Sequence, residues 1–192
     1  MNKPADNPTG AGKLALELML ADPQPSVFLS RPCYYLREMP GNCTQDLWTS
    51  GRYSPEIVST MTEAISQLPE QEAAERVTLI GYSGGGTLAL LVAARMELPV
   101  TVITVAANLD TAAWTDFHGV LPLSESVNPA EQDYSRRNIT QHHLLGGADT
   151  VVPPVTISKF RRNNPHAEFR LFDEFDHRCC WLEIWPEIVA DY

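Results

Sequence analysis

The sequence predicts an α/β fold in which a mostly parallel sheet carries helices on both faces. Three observations lead there. Short β-branched runs alternate with segments of helical period along the chain, the order in which crossover helices join parallel strands. The run Val77-Thr78-Leu79-Ile80 shows no polar alternation beyond Thr78, which suits a strand buried on both faces of such a sheet. Gly81-Tyr82-Ser83-Gly84-Gly85 then separates that run from an Ala- and Leu-rich stretch ending at Met96, which has the composition of a buried helix.

Composition narrows the class. At 192 residues, with 44% hydrophobic and 20% charged residues, the chain is expected to be one ordinary globular domain with a substantial core. The formal charge of −10 is spread without a basic stripe, so phosphate backbones and anionic lipid surfaces are repelled. Nucleic acid is not an expected partner. No apolar run is long enough for a membrane span, and Met1 to Pro8 lacks the apolar core of a signal peptide. As written, the chain is expected in the cytoplasm. No Cys/His grouping has metal-ligand spacing, so neither a metal nor a cofactor is expected.

The elements follow in order. Residues 1–11, rich in Pro, Gly and Asn, read as an extended or disordered lead-in, and residues 12–192 as the domain. Gly12 to Ala21 turns helical, with Leu14 and Leu18 on one face. Val27-Phe28-Leu29 reads as a short buried strand stopped at Arg31-Pro32, followed by an aromatic loop to Tyr53 that includes Tyr34, Tyr35 and Trp48 and suits a pocket wall. Ser54-Pro55-Glu56 starts a helix, with a hydroxyl cap and a proline where no N–H is needed; Ile57, Met61, Ala64, Ile65 and Leu68 continue it and Pro69 closes it. Val100 to Ala106 is the clearest strand. Residues 111–138 carry no strong period and are too long for a plain connection, which predicts a lid or binding excursion. A short strand through His142 and His143 leads to the glycine turn at Gly146-Gly147. A helix is expected from Pro154 to Arg162, a last strand from Ala167 to Phe172, and a last helix from Trp181 to Val189, perturbed by Pro186.

The segment around Ser83 admits three readings. Gly81 to Thr87 has the spacing of a phosphate-cradling loop, but Gly86 stands where that chemistry needs lysine. A tight strand-to-helix turn without chemistry is the second. In the third, glycines two positions either side of Ser83 remove side chains that would collide where the strand reverses into a helix, leaving Ser83 at the apex in a strained conformation. On this last reading the segment resembles the nucleophile elbow of the α/β-hydrolase superfamily.

The resemblance implies a serine activated by a histidine that an acid holds in the right tautomer, in the chain order serine, acid, histidine. Asp149 follows the strand ending near Leu145, and His177 follows the last strand. Gly146 to Pro153 resembles the acid turn of these hydrolases, and Phe175-Asp176-His177 their histidine loop. The alternatives are that Asp149 is only a turn residue and that Asp110 is the acid; His118, His142, His143 and His166 are the other histidines, none after the last strand. Asp173 and Asp176 read as solvated loop acids. The implied activity is hydrolysis of a small-molecule ester or thioester by acyl transfer, with the Gly84 N–H as an oxyanion donor and Tyr82 against the substrate.

The resemblance begins near Gly12. Nothing before it can form the strand that in the superfamily lies beside the elbow strand and whose loop gives a second oxyanion N–H. The sheet is therefore expected to lack early strands, with an open slot: the elbow strand should pair with Val100–Ala106 and little on its other side, and Val27–Leu29 should not move across. A catalytically impaired α/β-hydrolase-like binding protein, or a shortened form of a longer hydrolase, is the alternative; a missing leader would make the protein periplasmic or envelope-associated. Four cysteines allow three pairings. The turn Met39-Pro40-Gly41-Asn42 should bring Cys33 and Cys43 within disulfide reach, whereas Cys179 and Cys180, expected at a helix start, should diverge and stay unpaired with each other.

Overall fold

The computed structural model describes residue 8 and residues 13–68, 75–135 and 138–191. All of the expected lead-in except residue 8, the helix start at Gly12 and the stop at Pro69 lie outside the described residues. The order is α1 (Leu14–Ala21), α2 (Pro55–Ser66), β1 (Val77–Tyr82), α3 (Gly84–Ala93), β2 (Val100–Val105), α4 (Thr111–His118), β3 (Ile139–Gly146), α5 (Ser158–Asn163), β4 (Glu168–Phe172) and α6 (Trp181–Ala190). The four strands are parallel and stand in the spatial order β1-β2-β3-β4. No helix among the described residues is long and apolar enough to cross a membrane.

Alternation along the strands builds two layers. Val102 and Leu145 join Leu90 and Ala93 of α3 and Phe160 of α5 on one face. Ile103, Val105 and Leu144 join Leu18 of α1 and Trp181, Trp185 and Ile188 of α6 on the other. Each large aliphatic side chain buried this way contributes about 1.5–3 kcal/mol. Ile57, Val58 and Ile65 then fix α2 against Leu88, Leu91 and Val92 of α3. The helix starts are local chemistry: Ser54 Oγ accepts the Ile57 N–H at 3.3 Å, and Pro55 opens α2.

Among the described residues β1 pairs only with β2, from Val77↔Val100 to Tyr82↔Val105. The open slot is present. Val27–Leu29, however, forms no strand; Val27 is 58% exposed, and with no strand alongside there is no ladder to hold the segment extended and covered. Nor is β1 buried on both faces. Thr78 is exposed and Ile80 38% exposed, because the cluster that α1 and α6 build on that face takes in Ile103, Val105 and Leu144 but reaches β1 only at Tyr82.

Other boundaries shift for local reasons. The excursion at 111–138 begins with α4, which the weak apolar period concealed: Asp110 Oδ1 accepts the Ala113 N–H at 3.2 Å, and Gly119 at φ 60° ends the helix. The helix expected from Pro154 is a 3₁₀ turn, Pro154–Ile157, running into α5. Pro186 sits inside α6 without ending it.

Candidate active site

The carboxyl ends of β1, β3 and β4 lie along one edge of the sheet, and the segments leaving them carry Ser83, Asp149 and His177. Ser83 has φ 51° and ψ −125°, a left-handed conformation that a non-glycine residue keeps only when its surroundings enforce it. They do. The Ser83 N–H donates to Val105 O at 2.8 Å, and Ser83 O accepts from Gly86 N at 3.0 Å. A Cβ on Gly81 would overlap the carbonyl of Gly85, and one on Gly86 would stand 2.6 Å from Ala107 Cβ. Gly85, by contrast, faces open space, so the close approach rests on Gly81 and Gly86 rather than on a symmetric pair about Ser83.

The acid turn and the histidine loop are laced by their backbones. Gly147 N–H donates to Phe172 O at 2.8 Å and Ala148 N–H to Phe175 O at 3.0 Å. A Cβ on Gly146 would overlap Phe175 O, and one on Gly147 would lie 2.6 Å from Asp173 O. Only glycines let the two segments approach this closely. Asp149, 3% exposed, accepts the N–H groups of Val151 and Val152 on Oδ1 at 2.7 and 2.8 Å. Its Oδ2 lies 2.8 Å from His177 Nδ1. A carboxylate only accepts, so Nδ1 carries the proton and Nε2 is left to accept from Ser83 Oγ, 3.0 Å away. The structure thus brings Ser83, Asp149 and His177 together in one hydrogen-bonded line.

Tyr82 packs its ring on His177, centroids 5.0 Å apart, and burial pushes its hydroxyl up to about 12. Asp176 is exposed and shapes the histidine loop, accepting the N–H groups of Arg178 and Cys179 at 2.6 and 2.7 Å. Those two bonds hold its carboxyl below the usual range. Asp110 is a helix cap and a partner of Asn128 Nδ2, at 2.9 Å. His118 donates from Nε2 to Val151 O at 2.9 Å, and His142 pairs with Glu168. His143 is fully buried between Thr104 and Gln141, and that burial lowers it to about 3. No group of three or more His, Cys, Asp or Glu side chains suited to a metal occurs among the described residues.

The aromatic loop ending at Tyr53, with Arg31 just before it, meets the site: a Cβ on Gly84 would overlap Arg31 Nη2 and lie 2.6 Å from Tyr53 Oη. The sequence signal for Arg31 is an arginine that opens an aromatic loop, which by itself predicts no more than a strand stop at Arg31-Pro32. The cysteines divide. Cys33 and Cys43 are bonded with Cα atoms 5.6 Å apart, as expected. Cys179 and Cys180 are bonded to each other, against expectation: α6 begins at Trp181, as the sequence predicts, but both cysteines lie in the loop before it, where helical divergence of side chains does not apply.

No protein-family model matches the chain, and no curated protein matches it. Solved structures do. A lipase-esterase related protein from Clostridium acetobutylicum is 12% identical, with a TM-score of 0.58 over 80% of this chain and 77% of that one. An α/β hydrolase enzyme from a sediment metagenome of the lagoon of Mar Chica, Morocco, is 20% identical, with a TM-score of 0.51 over 69% of this chain and 66% of that one. A Pyrococcus furiosus esterase is 17% identical, with a TM-score of 0.51 over 71% and 58%. This chain has the α/β-hydrolase fold. It spans 66% and 58% of the lengths of the latter two, with a sheet small for the fold.

Proposed function

We propose that the protein is a serine hydrolase that cleaves a small-molecule ester or thioester by acyl transfer. The observation that carries this reading is the line Ser83 Oγ to His177 Nε2 at 3.0 Å and His177 Nδ1 to Asp149 Oδ2 at 2.8 Å, with Ser83 held at positive φ. Ser83 Oγ attacks the acyl carbon while its proton passes to His177 Nε2. The carbonyl electron pair moves onto oxygen, where the Gly84 N–H receives it. Collapse of the tetrahedral adduct expels the alcohol or thiol, which takes the proton back from His177, and water repeats the sequence to free the acid. Asp149 keeps His177 in the accepting tautomer. Tyr82 forms the wall behind the histidine and contacts substrate. The helix of the 111–138 excursion docks on the acid turn through Trp114 Nε1 and His118 Nε2, both on Val151 O; its exposed Phe117 then offers an apolar surface for the acyl or leaving group.

A fluorophosphonate probe is expected to label the wild-type chain and not Ser83→Ala; equal labelling of both overturns the proposal. One observation favours a second reading, a hydrolase-like binding protein without turnover: among the described residues β1 pairs with β2 alone, and no strand on its other side brings a second oxyanion N–H. Hydrolysis of a short p-nitrophenyl ester that depends on Ser83 rejects it.

A further inference from the structure

We propose that Arg31 supplies the second contact to the oxyanion formed at Ser83, in the place of a backbone N–H from a neighbouring strand; the inference rests on the acyl-transfer reading above. The guanidinium is already at the right residue. Gly84, whose N–H faces the developing charge in that reading, has Arg31 Nη2 packed so closely that even a methyl group on it would overlap, with Arg31 Cζ 3.4 Å from the same point. Any side chain other than hydrogen at position 84 would push the arginine away from the Gly84 backbone.

The cation is held there by aromatic rings rather than by an acid. Arg31 Cζ stands 5.4 Å from the Tyr34 ring centroid and 5.6 Å from that of Tyr53, within range for a cation on a ring face. Tyr53 is 3% exposed and bound at both backbone groups, its N–H to Ser126 Oγ and its carbonyl to Val127 N, each at 3.0 Å. Among the described residues no carboxylate forms an ion pair with Arg31, in a chain of net charge −10. A half-buried guanidinium with no carboxylate partner keeps its N–H donors for an incoming anion, and a hydrogen bond from a charged donor is about twice as strong as a neutral one.

The loop carrying Arg31 is built to one shape. Tyr34 N–H donates to Arg31 O at 3.2 Å, and Cys33 and Tyr35 both hold positive φ, 69° and 59°. Bulky residues stay in that region only when the surroundings fix them, and here the Cys33–Cys43 bond closes the loop two residues from Arg31. In the reaction the new bond is Ser83 Oγ to carbon, the proton goes to His177, and the negative charge left on the former carbonyl oxygen is shared between the Gly84 N–H and the Arg31 guanidinium. No further reactant is needed.

The test is steady-state kinetics of the full chain on p-nitrophenyl acetate, which is neutral, and on the p-nitrophenyl hemisuccinate, which is anionic, with Ser83→Ala as the blank. Arg31→Met is expected to lower kcat by about 100- to 1000-fold on both esters with KM little changed. Arg31→Lys should fall between, and methylguanidinium added to Arg31→Met should restore part of the rate. Unchanged kcat in Arg31→Met overturns the proposal. So does a loss confined to the hemisuccinate, which would make Arg31 an anchor for a substrate carboxylate. If Arg31→Met melts well below wild type, Arg31→Lys decides, and a Lys variant as slow as Ser83→Ala while melting like wild type counts against the proposal. Turnover in the wild type that does not depend on Ser83 rejects the acyl-transfer reading itself, and this inference with it; Ser83-dependent turnover that ignores Arg31 rejects the inference alone.

Discussion

The two walls of the Ser83 site are held by different physics. On the His177 side, backbone bonds from Gly147 to Phe172 and from Ala148 to Phe175 continue the β3–β4 ladder past the end of the sheet. Side-chain positions there inherit a register set by many bonds at once. On the Gly84 side the ladder stops at β1, and the wall is an irregular loop held by a disulfide, two tyrosine rings and one arginine. A position fixed by a ladder survives the loss of any one contact. A position fixed by a staple depends on that staple.

The ladder-held wall is tested hardest by Asp149→Asn. The amide oxygen can still accept from Val151 and Val152, so the turn keeps its shape, but the amide N–H₂ then faces His177 Nδ1 and forces the proton onto Nε2. Nε2 can no longer accept from Ser83. Turnover on a p-nitrophenyl ester should fall on the order of 10⁴-fold with the melting temperature little changed. A loss under about tenfold would mean that Asp149 only shapes the turn.

The stapled wall is tested by replacing both cysteines, Cys33→Ser with Cys43→Ser. Losing the cross-link should cost about 2–4 kcal/mol of stability, read as a lower denaturant midpoint. It should also lower kcat toward, but not below, that of Arg31→Met, because a loosened loop presents Arg31 to Gly84 for part of the time. If stability falls while kcat holds, the disulfide braces the fold and not the site, and the contrast between the walls weakens.

The same division decides how much was legible in the sequence. β2 announces itself through a β-branched run and the acid turn through Gly146 and Gly147, because ladders and close backbone approaches need those residue types, while the histidine loop is placed by chain order after the last strand. Ser83, Asp149 and His177 were found that way, and they meet. Arg31 was not, because a long side chain reaching across a loop leaves no periodic trace. Val27–Leu29 has strand composition but no partner, and composition does not count partners. Asp110, the alternative acid by sequence, becomes a helix cap once the Ala113 N–H is seen on it. The Cys179–Cys180 bond departs from expectation because helical divergence of side chains does not extend to two residues that lie just ahead of a helix whose start, Trp181, is where the sequence puts it.

The smallest expected effect concerns the other histidine of the sheet, whose contrast with His177 is one of burial. His177 keeps its ring 12% exposed at the carboxyl edge, whereas His143 is closed between Phe160 and Phe169, with Thr104 Oγ1 2.8 Å from Nδ1 and Gln141 Oε1 3.2 Å from Nε2. A neutral ring satisfies both contacts by accepting from Thr104 and donating to Gln141. Burial, with His142 adding a smaller push, lowers its pKa from 6.5 to about 3 in the folded chain. The unfolded chain therefore binds one more proton at this position between those values, and stability must rise with pH across that window. His143 contributes fully above about pH 6.5 and loses that contribution as pH falls toward 3, at up to about 1.4 kcal/mol per pH unit. His143→Gln should lower stability at pH 7 while flattening its fall between pH 7 and pH 5, a range chosen above most carboxylate titration and read by urea midpoints. Parallel pH curves for the two proteins would show that His143 is protonated in the fold, or that the Thr104–Gln141 pair opens to admit water.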